Sequence, residues 1–285
     1  MLEFVTDSLL PAALFTMMLG VGASTSFRDY VELAATPRPL LVGVLSLVAI
    51  SPALGLAVAS LLPMPAELAI GLVLLASCPG GLFSNYMTAL GKGAVPLSIG
   101  LTATVSLIYV FTAPAWAGLA IDWFGDADVS VQVPYSRILV PLLLFLLIPV
   151  LLGMTSRSRW PGTTAKWEKF VRELGGMTAI ACFCLIVYSQ KDVLVENASL
   201  SLVPVVVFNL TLVGIGILVA WTLKLDAKAG LAYLVEHTIR QEGTGIYIAA
   251  SVIGSLTATW PMLINTVVGM TVSMILVLLA RTILR

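Results

Sequence analysis

The chain has 285 residues, 59% of them hydrophobic and only 11% charged, against about 25% charged in a typical soluble domain. Basic and acidic residues balance at 15 each, a net charge of zero. These values exclude a disulfide-stapled secreted scaffold, a disordered tail and an ordinary cytosolic enzyme, and make nucleic acid an unexpected partner. They indicate an all-α polytopic protein of the lipid bilayer, where each spanning helix takes about 20 apolar residues.

Nine apolar segments follow one another. The first, Leu9–Ser26, is preceded by Glu3 and Asp7 and by no Lys or Arg, so it reads as a span and not as a signal peptide. The next is Leu40–Leu61, between Pro39 and Pro63. Ala66–Leu90 and Val95–Ala120 are joined through Gly91 and Gly93. Ile138–Met154, Leu174–Ser189, Ser201–Leu223, Ala227–Leu256 and Met262–Arg281 complete the set. Alternate connections carry Arg28, Arg38, Lys92, Arg157, Arg159, Lys166, Lys169, Arg172, Lys224 and Lys228, with Arg281 and Arg285 at the C-terminal end. The opposite set has Arg137 and Lys191 beside Asp122, Asp126 and Asp128. The positive-inside rule places the C-terminus in the cytoplasm and the N-terminus outside the cell membrane. Asn197-Ala198-Ser199 has the form of a glycosylation sequon on an outer loop, a triplet common by chance.

Two segments are interrupted. The third breaks at Cys78-Pro79-Gly80-Gly81 and the eighth around Glu236–Gly245. The first four and last four segments match in length and spacing at an offset of about 160 residues. An offset of five spans inverts the second copy, giving repeats of approximately residues 8–120 and 170–285 within one transmembrane domain covering residues 1–285. Broken helices at corresponding positions of inverted halves point to a transporter's binding site, because unwound backbone survives in lipid only where it lines a cavity or binds something. Away from the segment ends, only the eighth holds charges: Glu236, Arg240 and Glu242. The i,i+4 spacing of Glu236 and Arg240 also permits a plain ion pair. Cys78, Cys182 and Cys184 lie in apolar runs as buried thiols. A lone histidine, His237, supports no triad, zinc set or haem pair, and reads as a packed or hydrogen-bonded side chain or as a titrating neighbour of Glu236. Ser84-Asn85 has no plausible base except the distant Glu236 or His237, and no Gly-x-Ser-x-Gly elbow exists, so no enzyme is expected. A channel would show a polar stripe along several spans.

Cys-Pro-Gly-Gly-x-x-Ser-Asn at 78–85, followed by Met87-Thr88, Gly93, Leu97-Ser98 and Thr102, and then Glu236, Gln241 and Gly243, resembles the signature of the bile acid:sodium symporter family. The likeness runs over nearly the whole chain. It implies nine transmembrane helices in two inverted repeats, with two discontinuous helices, the third and eighth, crossing in a core domain beside a panel domain. Spans one, five and six would form the panel, with span two beside or within it. It also implies a sodium site made by Ser84, Asn85, Ser98, Thr102 and Glu236. Ser98 and Thr102, four apart, share a helix face. The family's second sodium site uses a Gln where this chain has Arg240, and another where it has Leu47. Arg offers no acceptor and keeps its charge, so Arg240 is read as a tethered cation in place of the second ion. Glu236, Glu242, Arg240 and one sodium then sum to zero.

The expected function is a monomeric secondary active transporter importing an organic anion, either bile acid-like or a small carboxylate or sulfonate, with Na+ as its only cofactor-like ion. Substrate contacts are assigned to Gly80, Gly81 and Leu82 on one break and to Gln241 and Glu242 on the other, and Arg240 is a second candidate for the anion. The family's polar residue after the glycine pair is replaced by Leu82 and Phe83, which makes that surface more apolar. Arg240 and Leu47 also leave open a sodium-independent or proton-coupled carrier or exchanger on the same scaffold.

Overall fold

A computed structural model describes residues 2–24, 37–125 and 133–283. Arg28, Asp126, Asp128 and Arg285 of the charge pattern lie outside the described residues, as does the side chain of Leu82. The described residues form helices and no strand. Among the described residues seven helices are long and apolar enough to cross a membrane. In chain order the helices are α1 (Leu2–Ser24), α2 (Arg38–Leu61), α3 (Ala66–Ser77), α4 (Leu82–Leu90), α5 (Val95–Phe124), α6 (Tyr135–Arg159), α7 (Pro161–Ser189), α8 (Lys191–Thr222), α9 (Ala227–Thr238), α10 (Glu242–Tyr247) and α11 (Thr257–Thr282). Exposed Leu, Ile, Val and Phe side chains along α7, α8 and α11 give the bundle the apolar exterior of an integral membrane protein.

The third and eighth apolar segments are the two that do not form single helices. Pro79 removes a backbone donor and pushes Cys78 into an extended conformation, so α3 stops there. Chain direction resumes at α4 after Gly80 and Gly81. α9 starts on the side chain of Asp226, which accepts from the Ala229 amide at 2.7 Å, and ends at extended Ile239. α10 follows and runs on as a π-helical turn, Ile248–Ile253, closed by Gly254 at φ +83°, the left-handed position glycine fills without a Cβ penalty. The two breaks lie against each other. Gly80 and Arg240 form an antiparallel bridge, and the Gln241 amide donates to the Pro79 carbonyl at 2.9 Å.

Packing divides the helices. α1 lies along α6 and α7, where glycines allow backbone contact. A Cβ on Gly22 would stand 2.1 Å from the Val150 carbonyl, and one on Gly175 2.5 Å from the Met17 amide. The other group forms around α3, whose residues from Leu68 to Ser77 are all buried, as an all-round apolar helix requires. α2 and α5 pack on α3, and α8, α9 and α11 pack on one another. α2 therefore sits mainly with this second group. α6 and α7 extend beyond the apolar segments read from the sequence, because hydropathy marks the lipid-facing stretch while the helix continues through Arg157, Arg159 and residues 161–173.

Candidate functional site

Glu236, in the last turn of α9, is fully buried and receives three hydroxyls from two other elements. Ser84 on α4 approaches its Oε1 at 2.5 Å, and Ser98 on α5 approaches the same oxygen at 2.5 Å. Thr102, one turn along α5, lies 3.0 and 2.9 Å from the two carboxylate oxygens. Thr88 of α4 donates to Ser98 at 3.3 Å. The close approach of α4 and α9 depends on Gly80, since a Cβ there would lie 1.9 Å from Oε2.

This cluster holds more oxygens than protons. Ser84 has one hydroxyl hydrogen and two strong acceptors, the Gly81 carbonyl at 2.6 Å and Glu236 at 2.5 Å. Thr102 has one hydrogen for two carboxylate oxygens. Asn85 Oδ1 is buried with no hydrogen-bond partner, a costly state for an amide oxygen. Hydroxyl, carbonyl and carboxylate oxygens converging with too few donors form a set that suits a hard cation. Among the described residues no group of three or more His, Cys, Asp or Glu side chains could hold a metal ion.

Arg240 lies in the second break and is 2% exposed. Its Nη1 donates to the Cys78 carbonyl at 2.9 Å and its Nη2 to Ser51 Oγ at 2.6 Å. Ser51 passes its own hydrogen to the Ala76 carbonyl at 2.7 Å. The guanidinium thus caps the carbonyl end of α3, where the helix dipole is negative. Arg240 Nε has no partner. Glu236 and Arg240 form no ion pair: the chain leaves helical geometry at Ile239, so the i,i+4 neighbourhood does not exist.

His237 is buried between α9 and α2. Its Nδ1 faces the Tyr233 carbonyl at 2.7 Å and its Nε2 faces Ser46 Oγ at 2.7 Å. Tyr233 stacks on it and donates to the Pro39 carbonyl. α2 therefore reaches the second break through two serines five positions apart. A π-helical turn, Ser46–Ile50, separates them. A π turn takes more residues than an α turn, and this brings Ser46 and Ser51 toward one side. Leu47 is buried within that turn against Leu101, Val105 and Tyr233.

Glu242 opens α10 and is partly exposed. Its Oε1 accepts from Asn265 of α11 at 2.8 Å, and Asn265 Oδ1 accepts from Asn209 of α8 at 2.8 Å. Gln241 is buried, with Nε2 3.5 Å from Met18 Sδ of α1 and Oε1 without a partner. A Cβ on Gly243 would meet Leu14 of α1 and Phe183 of α7. This side of the break faces the α1, α6 and α7 group.

Of the residues singled out in the sequence, Ser84, Ser98, Thr102 and Glu236 come together, with Asn85 one position from Ser84. Gly80 faces the carboxylate. Gly81 lies against the Arg240 backbone, where a Cβ would be 3.0 Å from its carbonyl oxygen. Gln241 and Glu242 are on the α1- and α11-facing sides. Sequence reading missed Ser46, Ser51, Asn209 and Asn265. The two asparagines had a signal, an amide in the middle of an apolar run, which membrane burial makes expensive. The two serines had none.

The family model described as the Sodium Bile acid symporter family matches residues 11–197. The chain is 28% identical over 242 residues to a Bacillus subtilis (strain 168) protein described as an uncharacterized sodium-dependent transporter, covering 85% of this chain and 74% of the relative. It is 23% identical over 249 residues to a chloroplastic "probable sodium/metabolite cotransporter" of Oryza sativa subsp. japonica, covering 87% and 58%. A chloroplastic relative of the same description from Arabidopsis thaliana is 24% identical over 270 residues, covering 93% and 65%. The chain spans about three fifths of the length of these chloroplastic relatives.

Proposed function

Because the chain belongs to the Sodium Bile acid symporter family, we propose that it is a secondary active transporter that imports an organic anion, bile acid-like or a small carboxylate or sulfonate, coupled to sodium. One ion travels with the substrate, and Arg240 stands where a second would bind. The observation that carries this reading is the proton-poor cage around Glu236. Ser84, Asn85, Ser98, Thr102 and Glu236 are the sodium ligands. The guanidinium on the Cys78 carbonyl supports the substitution of the second ion: it satisfies the freed carbonyl and cannot leave.

In this reading the chain has nine transmembrane helices in two inverted repeats, residues 8–120 and 170–285. α3 with α4 and α9 with α10 are the two discontinuous spans, and the Gly80–Arg240 bridge marks their crossing. α1, α6 and α7 form the panel, and the remaining helices, α2 among them, form the core. The substrate binds between them, against Gly81, Leu82, Gln241 and Glu242, with Gly80 behind. Access alternates as core moves against panel, with sodium stabilising one arrangement. The protein works as a monomer in the cell membrane, N-terminus outside and C-terminus in the cytoplasm.

The second reading is a sodium-independent or proton-coupled carrier or exchanger. It is favoured by the same guanidinium, which removes one ion site outright. Thermal unfolding in detergent, with sodium titrated against choline at constant ionic strength, separates the two. A ligand bound only by the folded state adds RT ln(1 + [L]/Kd), about 2.7 kcal/mol at a hundredfold excess. A saturable rise that disappears in Glu236→Ala and Ser98→Ala supports sodium coupling. Stability that ignores sodium and follows pH supports the second reading.

A further inference from the structure

A groove lies away from the candidate site, between the end of α8, the start of α9 and the end of α11, with a volume of about 350 Å³. Its walls are apolar. Ile217 and Trp221 of α8, Leu231 and Leu234 of α9, and Leu276 and Leu279 of α11 form most of them. Trp221 is 76% exposed, and Ile217 and Leu279 are exposed along the sides. In a bilayer such an open apolar groove meets acyl chains, and a tryptophan near the helix end suits the level of the headgroups.

The end of the groove at the α8–α9 corner is basic. Lys224, Lys228 and Arg281 each adjoin a residue of the lining, Leu225, Ala227 and Ala280 respectively. The turn that carries Lys92 packs against the same end. The Ala94 amide donates to the Lys228 carbonyl at 2.9 Å, Arg281 Nε donates to the Leu90 carbonyl at 2.9 Å, and a Cβ on Gly91 would lie 2.4 Å from Leu231. Asp226 is the acid of the lining, and its Oδ1 is taken by the Ala229 amide at 2.7 Å. Lys92, Lys224 and Lys228 are exposed. Among the described residues no hydrogen bond or ion pair holds their ammonium groups. An apolar trough thus ends in a group of cations that the protein itself does not neutralise.

We infer that this groove is a site for an anionic phospholipid, with an acyl chain along the walls between α8 and α11 and the phosphate at Lys224, Lys228 and Arg281. Both halves of the ligand are needed. A soluble anion leaves the apolar walls uncovered, and a zwitterionic lipid brings a cation of its own to the lysines. Basic pockets between spanning helices recognise lipid headgroups on this principle, and α9, which begins at Ala227 in the lining, turns the positive end of its dipole toward a phosphate there. The other end of α9 carries Glu236. The lipid therefore braces, against α8 and α11, the half-span that holds the caged carboxylate.

The test is thermal unfolding of the whole chain in detergent, titrated with phosphatidylglycerol, with phosphatidylcholine of the same acyl chains, and with glycerol phosphate as the soluble headgroup. Phosphatidylglycerol is expected to raise the unfolding temperature saturably, at a midpoint at least tenfold below that of phosphatidylcholine, and glycerol phosphate to leave it unchanged. Each basic residue near an anionic lipid is worth roughly fivefold in affinity. Lys224→Gln combined with Lys228→Gln should therefore weaken the phosphatidylglycerol response about twentyfold, while the unfolding temperature without lipid stays as in the wild type. Arginine at the same two positions keeps the charge and should keep the preference. Ala227→Phe, at an exposed position of the lining, should weaken the response by narrowing the groove with every cation in place. Equal midpoints for the two lipids, a glycerol phosphate response matching that of the lipid, a double glutamine variant that keeps the preference, or an Ala227→Phe protein that binds as the wild type does would each overturn the proposal.

Discussion

Replacing Gly80 by alanine removes no ligand from the Glu236 cage, yet it should weaken sodium binding. The added Cβ would stand 1.9 Å from Glu236 Oε2, whereas a C···O contact settles at roughly 3.3 Å or more. The carboxylate must therefore retreat by about 1.4 Å. Oε2 is held by Thr102 at 2.9 Å, and that retreat opens the contact beyond hydrogen-bond range. A hydrogen bond to a charged group contributes about 1.5–3 kcal/mol, and each 1.4 kcal/mol is tenfold in affinity. The sodium midpoint should rise by roughly ten- to a hundredfold. In the thermal assay, a sodium concentration a hundredfold above the wild-type Kd gives about 2.7 kcal/mol, and a hundredfold weaker variant under the same conditions retains about 0.4 kcal/mol. Gly81→Ala is the control: its Cβ meets the Arg240 carbonyl at 3.0 Å and needs a shift of only a few tenths of an ångström. Pairing Gly80→Ala with Glu236→Asp, whose carboxylate is shorter by a methylene, guards against a variant that does not fold. A folded Gly80→Ala protein with an unchanged sodium midpoint would refute the reasoning.

Arg240→Gln exchanges the guanidinium for an amide that can accept, and should admit a second sodium, with the Hill coefficient of sodium-dependent stabilisation moving from one toward two; a variant that binds no additional ion and keeps its transport would sink the tethered-cation reading. Ser51→Ala leaves Nη2 of Arg240 without its acceptor and the Ala76 carbonyl without its donor. It should lower stability by about 1–3 kcal/mol, seen as a lower unfolding temperature with sodium absent, and a neutral effect would mean that the pair does not form. Gly22→Ala forces α1 away from the Val150 carbonyl and should cost about 1–3 kcal/mol. Gly176→Ala, with open space around it, should be neutral under the same denaturation scan, so equal behaviour of the two would contradict the close packing of α1 on α6.

Much of the site was legible because its chemistry conflicts with its surroundings. Pro79 with Gly80 and Gly81 in an apolar run is a break by backbone chemistry alone, and Glu236 in a span is a charge that lipid would reject. Ser98 and Thr102 follow from helix periodicity. The second break carried no proline, and only its polar density marked it. Ser46 and Ser51 were unreadable: an α-helical count puts residues five apart on different faces, and nothing in Ser-Leu-Val-Ala-Ile announces a π turn. The Glu236–Arg240 spacing suggested an ion pair because helix geometry was assumed through Ile239, where the helix ends. Asn209 and Asn265 sit 56 positions apart, and their pairing with Glu242 depends on how α8 and α11 pack, which no local pattern encodes. The lengths of α6 and α7 were underread because their charged ends leave the apolar window.

The π turn in α2 makes the length of that helix a functional quantity. Ser46 answers His237 and Ser51 answers Arg240, and the one residue more that a π turn takes than an α turn brings both into reach. Deleting a single residue from Ser46–Ile50 would leave a well-formed span of nearly the same hydropathy and swing Ser51 by about 100° around the helix axis. Arg240 and the extra residue in α2 are thus linked through Ser51 from two distant places in the chain. Chains that share the fold but place a neutral amide opposite this serine are free to lose the turn, and an alignment of such chains should gap there.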